Sequence, residues 1–282
     1  MKDDERCFLR QLLREVNVRQ VLKFKIYIIL LILIVSAAIG NGEDVVVVDY
    51  RNNDESDNIY RTISDGIEHV DAEGTVIVKN GIYKENLQIN KPLTLAGETI
   101  DDQEIEIQPQ SPSLYVITVL QRNVVIRNMT INGGKGGIYA YEADKLQIID
   151  NNIVSCNQGI VMEETNDYQI FLNFLDDVDI GINLKDCTCG DIEDNDFSVS
   201  ILGIILESSR ENGIYNNSIG SDTDGISLVD RSVDNIIENN TLICDKCKLY
   251  LKQNIKAKNI LQDFETETRI KNDAAEVRLC LN

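Results

Sequence analysis

Between residues 122 and 251, hydrophobic and polar residues alternate in runs of three to five, and the runs recur every 22 residues. The dipeptide Gly-Ile, for instance, occupies 159–160, 181–182 and 203–204. A period of two predicts short β-strands that bury one face. Helical repeats need about 33 residues or more and do not fit this spacing. The pattern therefore predicts an all-β fold, a parallel β-solenoid with turns of about 22 residues.

Residues at equivalent positions of successive turns form columns, and three columns define the repeat. One column holds isoleucine, predicted to fill the interior: Ile126, Ile149, Ile170, Ile192, Ile214 and Ile237. A second holds glycine, predicted to make sharp turns where a positive φ or a close backbone approach excludes a Cβ: Gly137, Gly159, Gly181, Gly203 and Gly225. A third holds asparagine, predicted to hydrogen-bond along the stack as a structural ladder: Asn152, Asn173, Asn195, Asn217 and Asn240.

The residues before the regular turns predict a short N-terminal helix over residues 62–71. Thr62 and Asp65 have the spacing of a capping box, and Ile63 and Ile67 fall on one helical face. A helix at this position would cover the open end of the solenoid and its unpaired strand edge.

The N-terminus predicts export. Ile26–Gly40 is a strongly apolar run of about 15 residues that follows basic residues, as in a secretory signal. Residues 1–40 are predicted to be a signal peptide cleaved after Ala38 or an uncleaved signal anchor in the membrane. In both cases the rest of the chain reaches the cell surface or the envelope. The solenoid is predicted over residues 41–251, and 252–282 are expected to form a C-terminal cap or a partly ordered tail.

The charge of the chain narrows the range of partners. Its formal net charge is -20, from 47 acidic and 27 basic residues. Seven basic and four acidic residues precede Gly40, which leaves 20 basic and 43 acidic residues and a net charge of about -23 in the remainder. A surface of this sign repels phosphate groups, which argues against nucleic acid and anionic lipid as partners.

A resemblance to a known superfamily covers residues 45–251. Residues 74–98 have the sequence GTVIVKNGIYKENLQINKPLTLAGE, which contains Gly81-x-Tyr83-x-Glu85. Together with the Gly-Ile repeat, this segment resembles right-handed parallel β-helix proteins of the pectin-lyase-like superfamily. It is most similar to NosD-type surface proteins, whose repeats are grouped with carbohydrate-binding proteins and sugar hydrolases. The resemblance implies the fold, whereas the same framework carries many activities.

The catalytic motifs of enzymes in this superfamily are absent. Pectin methylesterases use Gln and Asp in QAVAL-, QDTL- and DFIFG-like stretches and an Arg beside a Trp, and the chain has no Trp. Polygalacturonases use a His and an Arg-x-Lys, but the one histidine, His69, lies in the predicted helix. We therefore predict no catalytic residues.

Two kinds of metal site are considered. Calcium, which lyases of this superfamily use, prefers the hard oxygen ligands that carboxylates on exposed turns supply. These are predicted at Asp176, Asp177, Asp179, Asp191, Glu193 and Asp196, with a diffuse acidic surface as the alternative. Cys244-x-x-Cys247 is predicted to form a small disulfide loop or a metal site. The NosD resemblance implies copper as the metal, although no cluster of His or Met accompanies these cysteines.

Three functions fit the sequence. The first is a non-catalytic envelope protein that binds carbohydrate, or another envelope component, on the flat flank of the solenoid. The second is a calcium-dependent polysaccharide lyase or hydrolase with a non-standard site, in which Lys185, the cation nearest to Asp179 by column position, is the candidate base. The third is a NosD-like accessory protein in the maturation of a copper enzyme.

Overall fold

The computed structural model describes residues 44–52, 57–98, 104–244, 247–252, 260–262 and 276–279, with side chains described up to residue 243. The predicted signal segment, residues 1–40, and most of the predicted tail lie outside the described residues. Within the described ranges, no helix has the length and apolar character needed to cross a membrane.

The described residues form one helix, α1 (Ile63–His69), and two sheets. Sheet A has 11 strands there, in the spatial order β2 (Ile59–Tyr60), β1 (Val45–Val48), β3 (Thr75–Val78), β6 (Leu93–Gly97), β9 (Val124–Arg127), β12 (Gln147–Ile149), β14 (Gln169–Phe171), β16 (Asp191–Glu193), β18 (Gly213–Tyr215), β21 (Ile236–Glu238) and β24 (Ile260–Gln262).

Sheet B has 14 strands in the same described residues. Its main path is β4 (Gly81–Lys84), β7 (Ile105–Gln108), β10 (Thr130–Asn132), β13 (Asn152–Glu163), β15 (Phe174–Lys185), β17 (Asp196–Glu207), β20 (Asp224–Val229), β23 (Cys247–Lys252) and β25 (Glu276–Leu279). Beside this path lie β5 (Leu87–Ile89), β8 (Tyr115–Val119), β11 (Gly136–Tyr141), β19 (Ser218–Ser221) and β22 (Thr241–Cys244).

Successive turns of the chain stack in parallel. Ile160 pairs with Ile182, which pairs with Ile204, so each strand meets its counterpart 22 residues along the chain. The final pair differs, because β25 runs antiparallel to β23 and pairs Leu249 with Leu279. The prediction of an all-β parallel solenoid with 22-residue turns is confirmed.

A column of buried isoleucines fills the interior behind sheet A: Ile126, Ile148, Ile170, Ile192, Ile214 and Ile237. The predicted member Ile149 is wrong, because Ile148 is the residue that pairs with Ile126 and Ile170, and Ile149 is half-exposed. Burial of each of these side chains stabilises the fold by about 1.5–3 kcal/mol.

An asparagine ladder runs along the corner that leads from sheet A to sheet B. The side-chain amide of Asn173 donates to the carbonyl oxygens of Ile148 and Phe171 at 2.8 and 3.1 Å. Oδ1 of Asn195 in turn accepts the backbone N–H of Asn173 at 2.9 Å. The ladder consists of Asn151, Asn173, Asn195, Asn217 and Asn240. Each buried amide therefore satisfies backbone groups of its own turn and of the neighbouring turns.

The predicted ladder member Asn152 is wrong. Asn152 is exposed at the start of β13, while Asn151 is 1% exposed and its Oδ1 accepts the N–H of Met129. The doublet Asn151-Asn152 offers two assignments that differ by one residue. Only Asn151 keeps the spacing of 22 from Asn173, and a slip of one residue along a strand turns a side chain to the opposite face.

Non-glycine residues in the left-handed region make the corners. Three such positions recur in the regular turns, as at Glu142 (φ 49°), Lys145 (φ 61°) and Asp150 (φ 54°), and Ser155 and Asp177 add a fourth in two of the turns. The left-handed conformation costs an L-residue roughly 1–2 kcal/mol. Hydrogen bonds between turns offset this cost, since the N–H of Asp150 donates to the carbonyl of Phe171 at 3.0 Å.

The glycine column does not make these turns, which corrects the prediction for Gly137, Gly159, Gly181, Gly203 and Gly225. These glycines lie inside strands β11, β13, β15, β17 and β20. A Cβ on Gly181 would stand 2.5 Å from the carbonyl oxygen of Gly203 and 2.7 Å from the ring of Phe197. Glycine is required here because the backbones of adjacent turns and a core side chain approach too closely for a Cβ.

Helix α1 is held at both ends by side chains of the first turns. Thr62 is the N-cap, and its hydroxyl accepts the N–H of Asp65 at 3.1 Å. The carboxylate of Glu85 accepts the N–H of Ile63 at 2.8 Å, and Nζ of Lys91 donates to the carbonyl of Val70 at 2.6 Å. The negative charge of Glu85 thus lies at the positive N-terminal end of the helix dipole, and the positive charge of Lys91 lies at its negative C-terminal end. The Gly81-x-Tyr83-x-Glu85 element owes part of its pattern to this contact.

The buried face of α1 packs on the first strands of sheet A. A Cβ on Gly66 would meet side chains of Val48 at 2.7 Å and Val76 at 3.1 Å, and both valines are fully buried. The helix therefore covers the interior side of β1 and β3, where the core would otherwise meet water.

A second ladder, of hydroxyl and thiol groups, consists of Thr165, Cys187, Ser209 and Ser232. The thiol of Cys187 donates to the carbonyl oxygens of Met162 and Lys185 at 3.4 and 3.3 Å. The N–H of Cys187 donates to the hydroxyl of Ser209 at 3.0 Å. Burial raises the pKa of the Cys187 thiol to about 12, so the group is a neutral donor at physiological pH.

The Asn151-Asn152 doublet gives a test in which two adjacent, chemically identical side chains differ only in their contacts. Asn151→Ala removes a buried amide and leaves its backbone partners unsatisfied, which should lower the free energy of unfolding by about 1–3 kcal/mol. Asn152→Ala removes an exposed side chain and should change it by less than about 0.5 kcal/mol. Urea unfolding measures both, and equal losses would contradict the assignment of Asn151 to the ladder.

The ladder role of Cys187 predicts a dependence of stability on alkaline pH. The unfolded thiol ionises near its ordinary pKa of 9.0, whereas the folded thiol holds its proton to about 12. The unfolded state therefore binds fewer protons between these values, and stability falls with pH by up to about 1.4 kcal/mol per unit. In Cys187→Ser a hydroxyl takes the place of the thiol in the ladder, so stability at neutral pH should be retained. Its stability should fall less steeply than that of the wild type as the pH rises. Equal slopes in urea unfolding from pH 8.5 to 10.5 would refute this.

Candidate functional site

Three tyrosines gather on the outer surface of sheet B. On β11 the buried residues Ile138 and Ala140 point into the core, so Tyr139 and Tyr141 face outward. Tyr115 on β8 joins them from the preceding turn. These three tyrosines are called the tyrosine face below, and each is partly exposed.

Close packing fixes the orientation of Tyr115. Its ring is stacked on that of Tyr139, with centroids 5.2 Å apart and planes at 29°. Its hydroxyl donates to Oε1 of Gln158 at 2.6 Å, one turn beyond β11. The ring crosses Gly136, where an added Cβ would stand 2.5 Å from it. Glycine at 136 therefore allows a tyrosine from one turn to reach an amide two turns away.

Negative charge surrounds the phenols. The hydroxyl of Tyr139 donates to Oε2 of Glu163 at 3.3 Å. Partial burial and then the charge of Glu163 raise the pKa of Tyr139, and the same two causes raise that of Tyr115. A hydrogen bond with Glu142 raises the pKa of Tyr141. All three phenols are therefore neutral at physiological pH and serve as hydrogen-bonding groups.

A cleft of about 940 Å³ adjoins the tyrosine face at Tyr141. It is lined by Leu120, Gln121, Arg122, Tyr141, Glu142, Asp144, Glu164, Asn166 and Asp186. Three of its acids, Glu142, Glu164 and Asp186, are left-handed corner residues of successive turns, which places them in one exposed row. Oδ1 of Asp144 accepts from the backbone and the side-chain amide of Asn166 at 2.8 and 3.0 Å. The cleft is called the acidic cleft below.

The tyrosine face combines flat apolar rings with fixed polar groups. Aromatic rings offer a large contact area at a small loss of side-chain entropy, and their hydroxyls remain available for hydrogen bonds. The amide of Gln158 and the carboxylate of Glu163 add a donor and acceptors beside the rings. This chemistry suits a ligand that has both an apolar surface and several hydroxyl groups.

The six residues predicted to bind calcium do not come together. Asp176, Asp177 and Asp179 lie on β15 in sheet B, and Asp196 begins β17 in the same sheet. Asp191 and Glu193 lie on β16 in sheet A. Among the described residues, no group of three or more His, Cys, Asp or Glu side chains could hold a metal ion. The prediction failed because neighbours in sequence were assigned to one surface, whereas a corner of the solenoid separates them.

The geometry also separates the residues of the lyase hypothesis. Its candidate base, Lys185, ends β15 and pairs with Glu163 and Glu207 of the adjacent turns. Asp177 lies near the other end of the same strand and accepts a hydrogen bond from the hydroxyl of Ser155 at 3.0 Å. Lys185 and Asp177 therefore lie toward opposite ends of one strand.

A copper site would need soft thiolate or imidazole ligands that are free to bind. Cys156 and Cys187 are free thiols that are buried, and burial raises their pKa values to about 11 and about 12, which opposes the thiolate form that binds copper. His69 stacks on Tyr60, and its Nδ1 lies 2.9 Å from the carbonyl of Asp65. Cys189 is disulfide-bonded, and no group of three or more His, Cys, Asp or Glu in the described part of the chain could hold a metal ion, so the described side chains do not fit a copper site.

The cysteines predicted to pair or to bind a metal remain a prediction. The backbones of Cys244 and Cys247 lie in β22 and β23, where they pair with Ser221 and Asp224. Their side chains lie outside those that the structure describes.

The sequence pattern did not single out the tyrosine face. Tyr139 and Tyr141 occupy alternate outward positions beside the Gly136-Gly137-Ile138 segment, and this Tyr-x-Tyr spacing was the available signal. Tyr115 is 24 residues upstream of Tyr139, outside the regular spacing, so its proximity follows only from the strand pairing.

Solved structures with a similar fold include the Dettilon tailspike protein gp208, with a TM-score of 0.57 and 14% identity over 80% of this chain. They also include the polygalacturonase of Erwinia carotovora ssp. carotovora, with a TM-score of 0.56 and 12% identity over 79% of this chain and 77% of the enzyme. The chain spans about half of the tailspike, 48% of its length. These likenesses show a parallel β-helix fold.

The sequence comparison assigns a family. No curated protein sequence matches the chain. A family model described as periplasmic copper-binding protein (NosD) matches residues 32–271, which is most of the 282 residues. The chain therefore belongs to the NosD family of parallel β-helix proteins.

Proposed function

We propose that this protein is an exported, non-catalytic β-helix protein that binds a polysaccharide on its tyrosine face. The stacked pair Tyr115–Tyr139, with Gln158 and Glu163 beside it, is the observation that carries the proposal. Export is supported by the apolar segment Ile26–Gly40 and by the periplasmic family to which the chain belongs.

A sugar ring matches the chemistry of the face. A pyranose presents C–H groups on its flat sides, which pack on aromatic rings, and hydroxyls at its edge, which bind amides and carboxylates. Tyr115 is held by a stacked ring and a hydrogen bond of 2.6 Å, so little side-chain entropy is lost on binding. The strands beneath it form a rigid support, and a binding surface gains affinity when it is already organised.

A non-catalytic role agrees with the state of the polar groups. General-base catalysis works best with a pKa near the working pH, and the pKa values of all three phenols are raised from an ordinary value of 10.0. Glu163 is engaged by the hydroxyl of Tyr139 at 3.3 Å. We assign these residues to binding and orientation.

Binding to a glycan array followed by calorimetry tests the proposal. Tyr139→Ala removes the stacking partner of Tyr115 and should weaken glycan binding at least tenfold, about 1.4 kcal/mol. Tyr139→Phe keeps the ring and loses only the hydroxyl, so its affinity should lie between those of the wild type and Tyr139→Ala. Both variants are measured as the full chain, with unfolding curves to verify that they fold.

Tyr50→Ala is the matched control, because Tyr50 is a 49% exposed tyrosine whose ring packs against Tyr83 and Arg51, away from the tyrosine face. It should retain the affinity of the wild type. Failure of the wild type to bind any glycan, or equal losses in Tyr50→Ala and Tyr139→Ala, would refute a polysaccharide site on the tyrosine face.

Membership of the NosD family supports a second candidate function, as an accessory protein that handles copper during the maturation of a metalloenzyme. The pair predicted from the sequence, Cys244 and Cys247, would serve it, since Cys156 and Cys187 are buried and Cys189 is disulfide-bonded. If this function holds, protein equilibrated with Cu(I) retains about one ion per chain after gel filtration, and Cys244→Ser with Cys247→Ser abolishes retention. Metal retention by the double variant equal to that of the wild type would exclude this pair.

A further inference from the structure

We infer that the tyrosine face selects a polysaccharide without negative charge and discriminates against polymers of uronic acids. The inference rests on the proposed function and specifies the class of ligand. It follows from the sign and placement of the charges around the three rings.

The first charge lies inside the face. Glu163 is half-buried, and its Oε2 is 3.3 Å from the hydroxyl of Tyr139. A sugar ring packed on Tyr139 would therefore bring its substituents close to this carboxylate. A hydroxyl substituent can donate to Glu163, whereas a carboxylate substituent cannot donate and is repelled.

Further carboxylates extend the negative field along the direction in which a polymer would continue. Tyr141 follows Tyr139 on the same outward side of β11 and lines the acidic cleft. Glu142 and Glu164 lie beside it, and both contribute to the raised pKa of the Tyr141 phenol. Sugars beyond the stacked pair thus pass a row of acids, which would repel a second and a third uronate as well.

Among the side chains that the structure describes, three cations lie near the face, and they do not reverse this sign. Lys185 pairs in register with both Glu163 and Glu207, so one ammonium lies between two carboxylates. Nζ of Lys135 lies 4.8 Å from the ring centroid of Tyr115, where the ring itself attracts it. Arg122 lines the acidic cleft together with Glu142, Asp144, Glu164 and Asp186, so four acids face one guanidinium. Recognition of a carboxylate generally uses a fork of guanidinium donors, and Arg122 is surrounded by acids that already balance its charge.

Coulomb's law gives the expected scale. Two like charges about 6 Å apart weaken binding by roughly threefold at the dielectric constant of water and by roughly 100-fold at the value typical of a protein surface. Salt shortens the range of this repulsion, because the Debye length falls from about 30 Å at 0.01 M to about 3 Å at 1 M. The discrimination should therefore be large in dilute buffer and smaller in concentrated salt.

Matched pairs of hexasaccharides test this inference by calorimetry on the full chain. In each pair the glycosidic backbone is constant and the C6 group changes from neutral to negatively charged: methyl-esterified and free galacturonan, cellohexaose and its C6-oxidised form, and mannohexaose and mannuronan. For every backbone that binds, the uncharged member should bind at least tenfold more tightly in 20 mM salt. The ratio of the two dissociation constants, acidic member over uncharged member, should fall in 500 mM salt and in Glu163→Gln. It should be unchanged in Glu238→Gln, whose side chain lies on the outer surface of sheet A.

The outcomes separate the two proposals. Equal or tighter binding of the acidic members would overturn the inference while leaving a polysaccharide site in place. A ratio that Glu163→Gln leaves unchanged would overturn the role of Glu163 in selection. Absence of binding by all six hexasaccharides and by the glycan array would overturn both the selectivity and the proposed function.

Discussion

Hydrogen bonding between successive turns is the constraint on which this solenoid depends. Each turn bends at residues such as Lys145 and Asp150 that adopt the left-handed conformation without being glycine. A corner of this kind is stable only if its buried backbone groups find partners. The amides of Asn151 and Asn173 supply them in one column, and the hydroxyls and thiol of the ladder through Cys187 supply them in another. The ladders therefore determine which residues each corner can carry.

The sequence predicted the solenoid because the interior is repeated, and it predicted individual positions less well where a doublet occurs. Ile148-Ile149 and Asn151-Asn152 each allow two assignments; strand pairing selects Ile148, and the hydrogen bonds of the ladder select Asn151. The glycine column was found by spacing alone, but its cause is the close approach between Gly181 and Gly203. Spacing records that a position is constrained and does not say which contact imposes the constraint.

The candidate site was harder to predict because outward-facing residues are free of the packing that makes the interior periodic. Grouping acids by sequence placed Asp177 with Asp191, although β15 and β16 belong to different sheets. The acids are close in sequence and separated in space, whereas the reverse holds for the tyrosine face. Tyr115 and Tyr139 are distant in sequence, and their ring centroids lie 5.2 Å apart. Surface chemistry of this kind depends on which strands pair, and hydrophobic alternation carries little information about it.

The site also lies at the boundary of the regular repeat, and this location has a physical basis. Positions inside the regular turns are occupied by ladders and core columns, so they cannot change without a loss of stability. Tyr115 precedes the regular turns and pairs with Gly136 at a spacing of 21 residues, one fewer than the repeat. The irregular step brings Tyr115 over a glycine and against Tyr139, beside the carboxylate of Glu163. A regular solenoid thus supplies the rigid support, and the boundary of its repeat supplies the freedom to build a binding surface.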